Sequence, residues 1–323
     1  MPTLKSNAWL IWQISKCGPV ENVISICKQY GITQLLIKVA DGTYEFNRLG
    51  RNDDKALKAW IDTVRAADIQ VGGWQYLYGL VSPGAQGDRI MERREKLDLD
   101  IILVNIERRD FDQLTETERN RFARVYWEKQ HEGTLYGHCS HRYPLWHPYI
   151  PHKQCLQAER CDINTPMVYW EGSHNPAYQL NRSFNEYEQI YSGKQFAPIG
   201  SAYGRGNWEP YAADFTEFIS ECKRMGWIYL WYSLDYVISN ARWDWMETIT
   251  GVGAPPVWQL PGEILVTSKA GANIRKTTVI DPTMKNKIGA VPYGYELYAE
   301  EDAEDPDWWK ITAYIHKTTA APK

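Results

Sequence analysis

The most constraining feature of this sequence is a repeated alternation of short apolar segments with amphipathic ones. Eight segments of strand composition precede residue 250, and each is followed by a helical segment or by a loop long enough to cross back. Parallel strands need such crossovers, and eight of them predict a closed (β/α)8 barrel (TIM barrel) rather than an open doubly wound sheet. The predicted strands are 8–15, 32–40, 69–78, 100–106, 133–139, 166–170, 196–202 and 227–233.

The predicted helices lie between these strands. A Thr115-x-x-Glu118 pattern is typical of a capping box, so a helix should begin there and run to about residue 130. The other helical segments are 20–30, 53–67, 83–97, 179–191 and 211–225.

The composition changes after residue 252. The segment 253–262, GAPPVWQLPG, is rich in Pro and Gly, and short β-like runs separated by turn residues follow it. We therefore predict a barrel over 1–252, a linker over 253–262 and a small all-β domain over 263–323.

The stretch 98–111, DLDIILVNIERRDF, is the strongest candidate for a functional site. An apolar strand ends in Asn105-x-Glu107, and strand alternation places both side chains on one face, with Ile106 on the other. Active sites of (β/α)8 barrels lie at the carboxyl ends of the strands, so Glu107 is a candidate catalytic acid. The alternative is a strand that acquires polar residues only because it reaches solvent.

The chain has 15 Trp and 21 Tyr but only 7 Phe, and aromatic rings with a polar group suit sugar-binding clefts. Each ring can equally belong to the core. The candidates near predicted strand ends are Trp74, Tyr76, Tyr169, Trp170, Tyr203 and Trp231.

Four charged residues near strand ends are further candidates. Asp41 and Asp235 could orient a substrate or the acid, although Asp also stabilises turns. Lys38 is either an ion-pair partner of Glu107 or Asp41, or a Schiff-base lysine, and the ion pair is favoured because nothing else indicates carbonyl chemistry. Glu171 is either a second carboxylate or a loop residue before Gly172.

Several functional classes are disfavoured by charge and motif content. A net charge of −4 and a pI near 6.0 argue against nucleic acid as a partner. No GxGxxG or GxxxxGK[ST] motif follows a strand, so nucleotide binding has no support. We expect no cofactor. We also expect no secretory signal and no membrane span, and therefore synthesis in the cytoplasm.

The six cysteines do not indicate a disulfide scaffold, although Cys155 and Cys161 share one loop and could pair. The same region contains His138, His141, His147 and His152, which raises the alternative of zinc. We expect no metal, because neither a CxxC pair nor HExxH is present.

The carboxy-terminal segment carries three motifs, ANIR at 272–275, IGAVPYG at 288–294 and WWKI at 308–311. They resemble signatures of bacterial SH3 domains, a family that commonly attaches enzymes to cell walls by binding peptidoglycan peptides. The resemblance implies a wall-binding surface formed by Tyr293, Tyr295, Trp308 and Trp309.

The barrel segment also has a family resemblance, carried by KVADG at 38–42, Asn105-x-Glu107, YWEG at 169–172 and WYSLD at 231–235. These motifs resemble glycoside-hydrolase-like barrels of phage and prophage lysins and, more distantly, lysozymes of the Chalaropsis type. The resemblance implies that Glu107 is the general acid and that Asp235 matches a carboxylate of the eighth strand.

The chain departs from those lysozymes at two strand ends. Asn105 stands where their Asp-x-Glu motif has its first carboxylate, and the first strand ends in Gln13 and Ser15 instead of Asp. These departures argue against ordinary hydrolysis by two carboxylates. Asn-x-Glu resembles the pair of certain endo-β-N-acetylglucosaminidases, in which the substrate's own 2-acetamido group attacks the anomeric carbon. Such an enzyme needs one acid, and burial would raise the pKa of Glu107 and keep it protonated.

The sequence thus predicts a peptidoglycan glycan hydrolase of endolysin type that cleaves an N-acetylhexosamine bond at the bacterial cell wall. Its partners would be the glycan and peptide of the wall. The alternatives are a barrel that binds glycans without cleaving them and a structural component of a phage or injection particle.

Overall fold

The structure is a computed structural model that describes residues 2–49, residues 54–252 and the backbone of five short strands beyond them. The chain divides into two compact units, Met1–Gly253 and Ala254–Lys323.

The first unit contains ten strands and nine α-helices among its described residues. The strands are β1 Ala8–Ile11, β2 Gln34–Asp41, β3 Tyr44–Glu45, β4 Gln70–Tyr76, β5 Ile101–Asn105, β6 Leu135–Cys139, β7 Ile163–Asn164, β8 Gln195–Phe196, β9 Ile199–Ser201 and β10 Leu230–Tyr232. The helices are α1 Val20–Gln29, α2 Asp54–Arg65, α3 Pro83–Leu97, α4 Glu116–Glu128, α5 His152–Gln157, α6 Pro176–Ile190, α7 Ala212–Met225, α8 Leu234–Ser239 and α9 Trp243–Thr250.

The strands form one curled sheet in the order β8-β7-β6-β5-β4-β2-β1-β10-β9. All neighbours on this path are parallel, and β3 pairs antiparallel with β2. The two outermost strands, β8 and β9, are separated only by Ala197 and Pro198, and Met167 forms parallel bridges to His141 and Ile199. The strand order and the crossover helices agree with the predicted (β/α)8 barrel.

Alternation along the strands produces two apolar layers. Trp9 and Ile11 of β1 belong to the larger layer, which also includes apolar side chains of α1 to α4 and of α7. Leu10 belongs to the smaller layer, which contains inward-facing side chains such as Leu36, Leu103 and Leu230. A strand buried on both faces reads as a continuous apolar run, which is why these strands were recognisable in the sequence.

The sixth strand was predicted wrongly. It was expected over 166–170, but the ladder occupies Ile163–Asn164, and beyond it only Met167 forms bridges. Pro166 has no N–H to donate to a ladder, which explains the interruption. The first strand is also shorter than predicted, because Ile14–Lys16 form a 3-10 turn.

The helix ends follow local chemistry. Thr115 and Glu118 form the predicted capping box: the Thr115 N–H donates to Glu118 Oε2 (2.8 Å), and the Glu118 N–H donates to Thr115 Oγ1 (3.3 Å). The short helices α5, α8 and α9 were not predicted. None exceeds eight residues, too few for a clear helical period.

The described residues of the second unit form five antiparallel strands. They are β11 Glu263–Leu265, β12 Ala272–Arg275, β13 Lys287–Val291, β14 Glu296–Glu301 and β15 Trp309–Ile311, paired as β11-β14-β15 and β12-β13. Tyr293, Tyr295 and Trp308 lie outside the described residues, as does the side chain of Trp309. The SH3-like fold and its wall-binding surface therefore stay predictions. Among the helices that the structure describes, none is long and apolar enough to cross a membrane.

Glycines let adjacent strands approach closely inside the barrel. A Cβ on Gly72 would lie 2.6 Å from Leu36 Cδ2 and 2.9 Å from the carbonyl oxygen of Ile101. By contrast, a Cβ on Gly84, in the first turn of α3, would meet nothing closer than 3.8 Å. We expect Gly72→Ala to lower the free energy of unfolding by about 1–3 kcal/mol through overpacking, and Gly84→Ala to leave it unchanged or raise it by about 0.5–1 kcal/mol.

Urea denaturation of the two variants measures this difference with the same chemical change at both sites. Equal stabilities for the two variants would contradict the close approach of β4 to its neighbours.

Candidate functional site

A cavity of about 370 Å³ lies where the carboxyl ends of β1, β2, β4, β5, β6 and β10 meet. Its position is the one at which (β/α)8 barrels carry their active sites. The residues that line it are Leu10, Trp12, Lys38, Asp41, Trp74, Tyr76, Tyr78, Leu103, Asn105, Glu107, Arg108, Cys139, Met167, Tyr169 and Tyr232. We call it the acid cavity.

Asn105 and Glu107 both face this cavity, as alternation predicted. Between them, Ile106 points into the outer apolar layer, and its N–H donates to the carbonyl of Cys139 (2.8 Å). Ser140 Oγ donates to the carbonyl of Ile106, and a ring nitrogen of His141 lies 3.0 Å from the carbonyl oxygen of Glu107. The backbone that carries the acid is therefore fixed by hydrogen bonds to β6 and the residues after it.

The environment of Glu107 favours the protonated carboxyl. Burial raises its pKa, and two weaker influences oppose the rise: the Asn105 amide, whose Nδ2 donates to Glu107 Oε1 (3.3 Å), and the positive charge of Lys38. A carboxyl with a raised pKa retains a proton nearer neutral pH, which a general acid requires.

Asn105 has one atom without a partner. Its side chain is 7% exposed, and Nδ2 contacts Glu107 Oε1 and Met167 Sδ (3.8 Å). Its Oδ1 is buried and accepts no hydrogen bond within the described part of the chain. A buried carbonyl oxygen without a partner is rare in folded proteins, and at a functional site it is the kind of acceptor that a ligand N–H satisfies.

Lys38, on β2, is surrounded by aromatic rings. Its Nζ lies 4.3 Å from the ring centroid of Phe46 and 5.2 Å from that of Trp74, and it pairs with Asp41 Oδ2 (3.3 Å). Asp41 Oδ1 accepts from the Tyr78 hydroxyl (2.9 Å). Burial lowers the pKa of Lys38, and Asp41 opposes this effect. Of the two ion-pair partners considered for Lys38, the contact is with Asp41.

The remaining wall is aromatic. Tyr169 and Tyr232 stack with ring centroids 5.7 Å apart, and Trp74 meets Tyr232 edge to face at 6.5 Å. Tyr203 packs edge to face behind both tyrosines, at 5.2 Å from Tyr169, but it does not line the acid cavity. These flat surfaces beside an acid suit the apolar faces of sugar rings.

Seven predicted site residues therefore line one cavity: Lys38, Asp41, Trp74, Tyr76, Asn105, Glu107 and Tyr169. Trp170 and Trp231 do not, and for these two the structure corrects the predicted position. Both are fully buried in the outer layer against Phe218, and Trp170 Nε1 donates to Asp214 Oδ2 (3.2 Å). Alternation explains the difference at the last strand, because Leu230 and Tyr232 face inward and Trp231 faces the helices.

Asp235 and Glu171 also lie outside the lining of the acid cavity. Both oxygens of Asp235 accept from backbone N–H groups, those of Trp12 (2.9 Å) and Gln13 (3.1 Å). Its contacts therefore fix the end of β1 and the position of Trp12. Glu171 accepts from the Tyr203 hydroxyl (3.0 Å) and pairs with Arg205 (3.1 Å).

Sequence reasoning missed several lining residues, of which Trp12, Tyr78, Arg108 and Tyr232 are the most prominent. Tyr232 could have been found by applying the same alternation to the last strand as to β5. Trp12, Tyr78 and Arg108 follow strand ends, where local turns set the direction of a side chain and no periodic pattern identifies it.

The cysteines and histidines near the site show no metal arrangement. Cys155 and Cys161 are free, buried thiols. His138 and His152 are buried side by side with ring nitrogens 3.2 Å apart, and burial lowers the pKa of His138 to about 3. Among the described residues, no three His, Cys, Asp or Glu side chains are grouped so that they could hold a metal ion.

Neither a protein-family model nor a curated protein sequence matches this chain. Solved structures do match its fold. A chitinase from Bacteroides thetaiotaomicron superposes with a TM-score of 0.54 at 12% identity, covering 77% of this chain and 96% of the other. A GH18 chitinase from Flavobacterium johnsoniae gives 0.53 at 10% identity, with 76% and 93% covered. The spore cortex-lytic enzyme SleL of Bacillus cereus gives 0.50 at 9% identity, with 76% of each chain covered. At these identities the likeness shows a shared fold.

Burial of Glu107 has a consequence for stability that depends on pH. Because its pKa is higher in the folded protein than in the unfolded chain, ionisation of Glu107 lowers stability as pH rises above the unfolded value of about 4.3. We expect Glu107→Gln to raise the free energy of unfolding at about pH 8 and to have no such effect at about pH 3, where both proteins are uncharged at this position.

Urea denaturation at a series of pH values measures the difference. Glu128→Gln, on the exposed surface of α4, controls for the loss of a carboxylate. A gain for Glu107→Gln that is equal at all pH values would show that desolvation of the carboxylate is not its cause.

Proposed function

We propose that the barrel hydrolyses a glycosidic bond of an N-acetylhexosamine polymer of the bacterial cell wall, with Glu107 as the general acid. One observation carries the proposal: a half-buried carboxyl with a raised pKa stands beside an amide with an unpartnered acceptor, in an aromatic-lined cavity at the strand ends. The shared fold with two chitinases and a spore cortex-lytic enzyme supports it.

In the proposed reaction, the protonated Glu107 donates its proton to the glycosidic oxygen as the bond to the anomeric carbon breaks. The carbonyl oxygen of the substrate's 2-acetamido group attacks that carbon, and Asn105 Oδ1 accepts a hydrogen bond from the acetamido N–H. Water then opens the cyclic intermediate while Glu107, now ionised, takes a proton from it. This route needs one acid and an oriented acetamido group, and no second carboxylate.

A second candidate function is glycan binding without cleavage. It is favoured by Asn105 in place of a carboxylate and by the engagement of Asp41, the other carboxylate of the acid cavity, with Lys38 and Tyr78. We further propose that the unit 254–323 binds wall peptide and holds the barrel at the cell wall, as its SH3-like motifs imply. A lysin and a particle component of phage type would both use this attachment.

The release of reducing ends from purified cell walls and from chitin oligosaccharides tests the acid. We expect Glu107→Gln to lower kcat by about 10²- to 10⁴-fold, because positioned acid catalysis contributes that factor, while the folded structure is retained. Glu128→Gln should keep the parent rate. Release by Glu107→Gln at the parent rate would refute the assignment, and no release by the parent from any of these polymers would favour the binding function.

Replacing Asn105 by Asp separates two mechanisms in the same assay. If the Asn105 amide holds the acetamido group, we expect a lower rate, because the new carboxylate alters that contact and adds a like charge beside Glu107. A rate that is preserved or raised would instead indicate a lysozyme-like mechanism in which a carboxylate at this position assists.

Lys38 should set the alkaline limit of activity. Its charge lowers the pKa of Glu107, so Lys38→Met removes one of the two influences that oppose burial. The acid then stays protonated to higher pH, and we expect the alkaline limb of the kcat profile to move upward. Lys58→Met on α2 controls for the loss of a charge, and a limb that is unmoved or moves downward would contradict the assignment of that limb to Glu107.

A further inference from the structure

The acid cavity is not isolated, because two further cavities share residues with it. One, of about 400 Å³, shares Asp41 and Tyr78 and is lined by the loop between β2 and β3. The other, of about 330 Å³, shares Glu107, Met167 and Tyr169 and is lined by the loop after β6. We call them the β3 cavity and the β6 cavity. Glu107 is thus at the junction between the acid cavity and the β6 cavity.

Each flanking cavity carries a large exposed aromatic side chain. Tyr44, in the β3 cavity, is 77% exposed, and Trp146, in the β6 cavity, is 61% exposed. Among the described residues most Trp side chains are buried, so an exposed indole beside the proposed acid needs an explanation.

Trp146 is packed against two neighbouring side chains although it is exposed. The Arg182 guanidinium lies 4.4 Å from its ring centroid, and Tyr143 packs against it edge to face at 5.0 Å. Arg182 is fixed in turn by Glu186, which also accepts from the backbone N–H of Leu145 (3.2 Å). A pre-ordered ring loses little conformational freedom when it binds a ligand.

The lining between Trp146 and Glu107 is polar: it contains two histidines and two charged residues, Arg142, which donates to the carbonyl of Tyr169, and Glu171, which pairs with Arg205. His141 and His147 stack with ring centroids 3.7 Å apart. Burial lowers the pKa of His141 to about 4 and also lowers that of His147, so both rings are uncharged near neutral pH. Neutral imidazoles both donate and accept hydrogen bonds, as the hydroxyl groups of a sugar require.

We propose that the three cavities form one groove that holds an extended glycan chain, with Trp146 as the stacking platform for sugars on the far side of Glu107. This inference rests on the proposed function and deepens it. Sugar units occupy both sides of the acid, so the bond that breaks is internal to the chain. The substrate is a polymer, and cleavage is of the endo type.

Binding measurements on the Glu107→Gln background test the groove independently of catalysis. The probes are N-acetylglucosamine oligomers from the dimer to the hexamer, titrated by calorimetry. We expect affinity to rise with length, and Trp146→Ala to weaken binding of the hexamer by roughly 3- to 10-fold while leaving the dimer unchanged, as for the loss of one aromatic contact. Tyr211→Ala is the matched control, since Tyr211 is 62% exposed and lines none of the three cavities.

Product analysis with the parent chain provides the second measurement. An endo-acting groove releases mixed oligomers early from a soluble chitin polymer, and Trp146→Ala should raise KM for the polymer more than it lowers kcat. Release of a single small product from one chain end, with a KM unaffected by Trp146→Ala, would overturn the groove and leave the hydrolase standing. Length-dependent binding that is sensitive to Trp146, without any cleavage, would support the groove and overturn the hydrolase. No binding of any oligomer would overturn both.

Discussion

Alternation along short parallel strands is the constraint on which this structure depends. It separates an outer apolar layer under the helices from a smaller inner layer, and each strand must supply both. On β2, β4 and β5 the next inward-facing positions beyond this inner layer are Lys38, Tyr76 and Asn105, which line the acid cavity. Asn105 and Glu107 are therefore held in place by Ile106, whose burial on the opposite side fixes the direction of both neighbours.

The same arrangement explains how the chain keeps a carboxyl poorly solvated. Glu107 follows β5, which is buried on both faces, and within the described part of the chain Asn105 and Lys38 are the residues that offset the cost of its charge. A polar residue in this environment lowers stability, and proteins retain such residues mainly at functional sites. The enclosure of Lys38 by rings and its pairing with Asp41 place a second charge where solvent is scarce. The free-energy costs of holding the charges of Glu107 and Lys38 away from solvent both arise at one cavity, which supports its assignment as the site.

Much of the fold could be predicted from sequence, because the two-sided burial of β2, β4 and β5 produces long apolar runs. The sixth strand could not be located correctly, since Pro166 interrupts a segment that is apolar for other reasons. Candidate residues such as Glu107 and Tyr169 were predicted because they lie near the ends of predicted strands. On the last strand the prediction chose Trp231, which faces the helices, whereas its neighbour Tyr232 lines the acid cavity. Trp146 belongs to a loop whose geometry depends on distant contacts with Arg182 and Glu186, and no local pattern encodes it.

The hydrogen bonds from the backbone N–H groups of Trp12 and Gln13 to Asp235 join the end of the first strand of the barrel to α8, the helix that follows the last strand. The partners are 223 and 222 residues apart in sequence, so the contact has one of the largest loop-closure entropies available to this chain. During synthesis the wall that Trp12 contributes cannot be fixed until the final strand has emerged. The lining of the acid cavity is consequently among the last parts of the unit to be completed, after the outer helices have had time to associate.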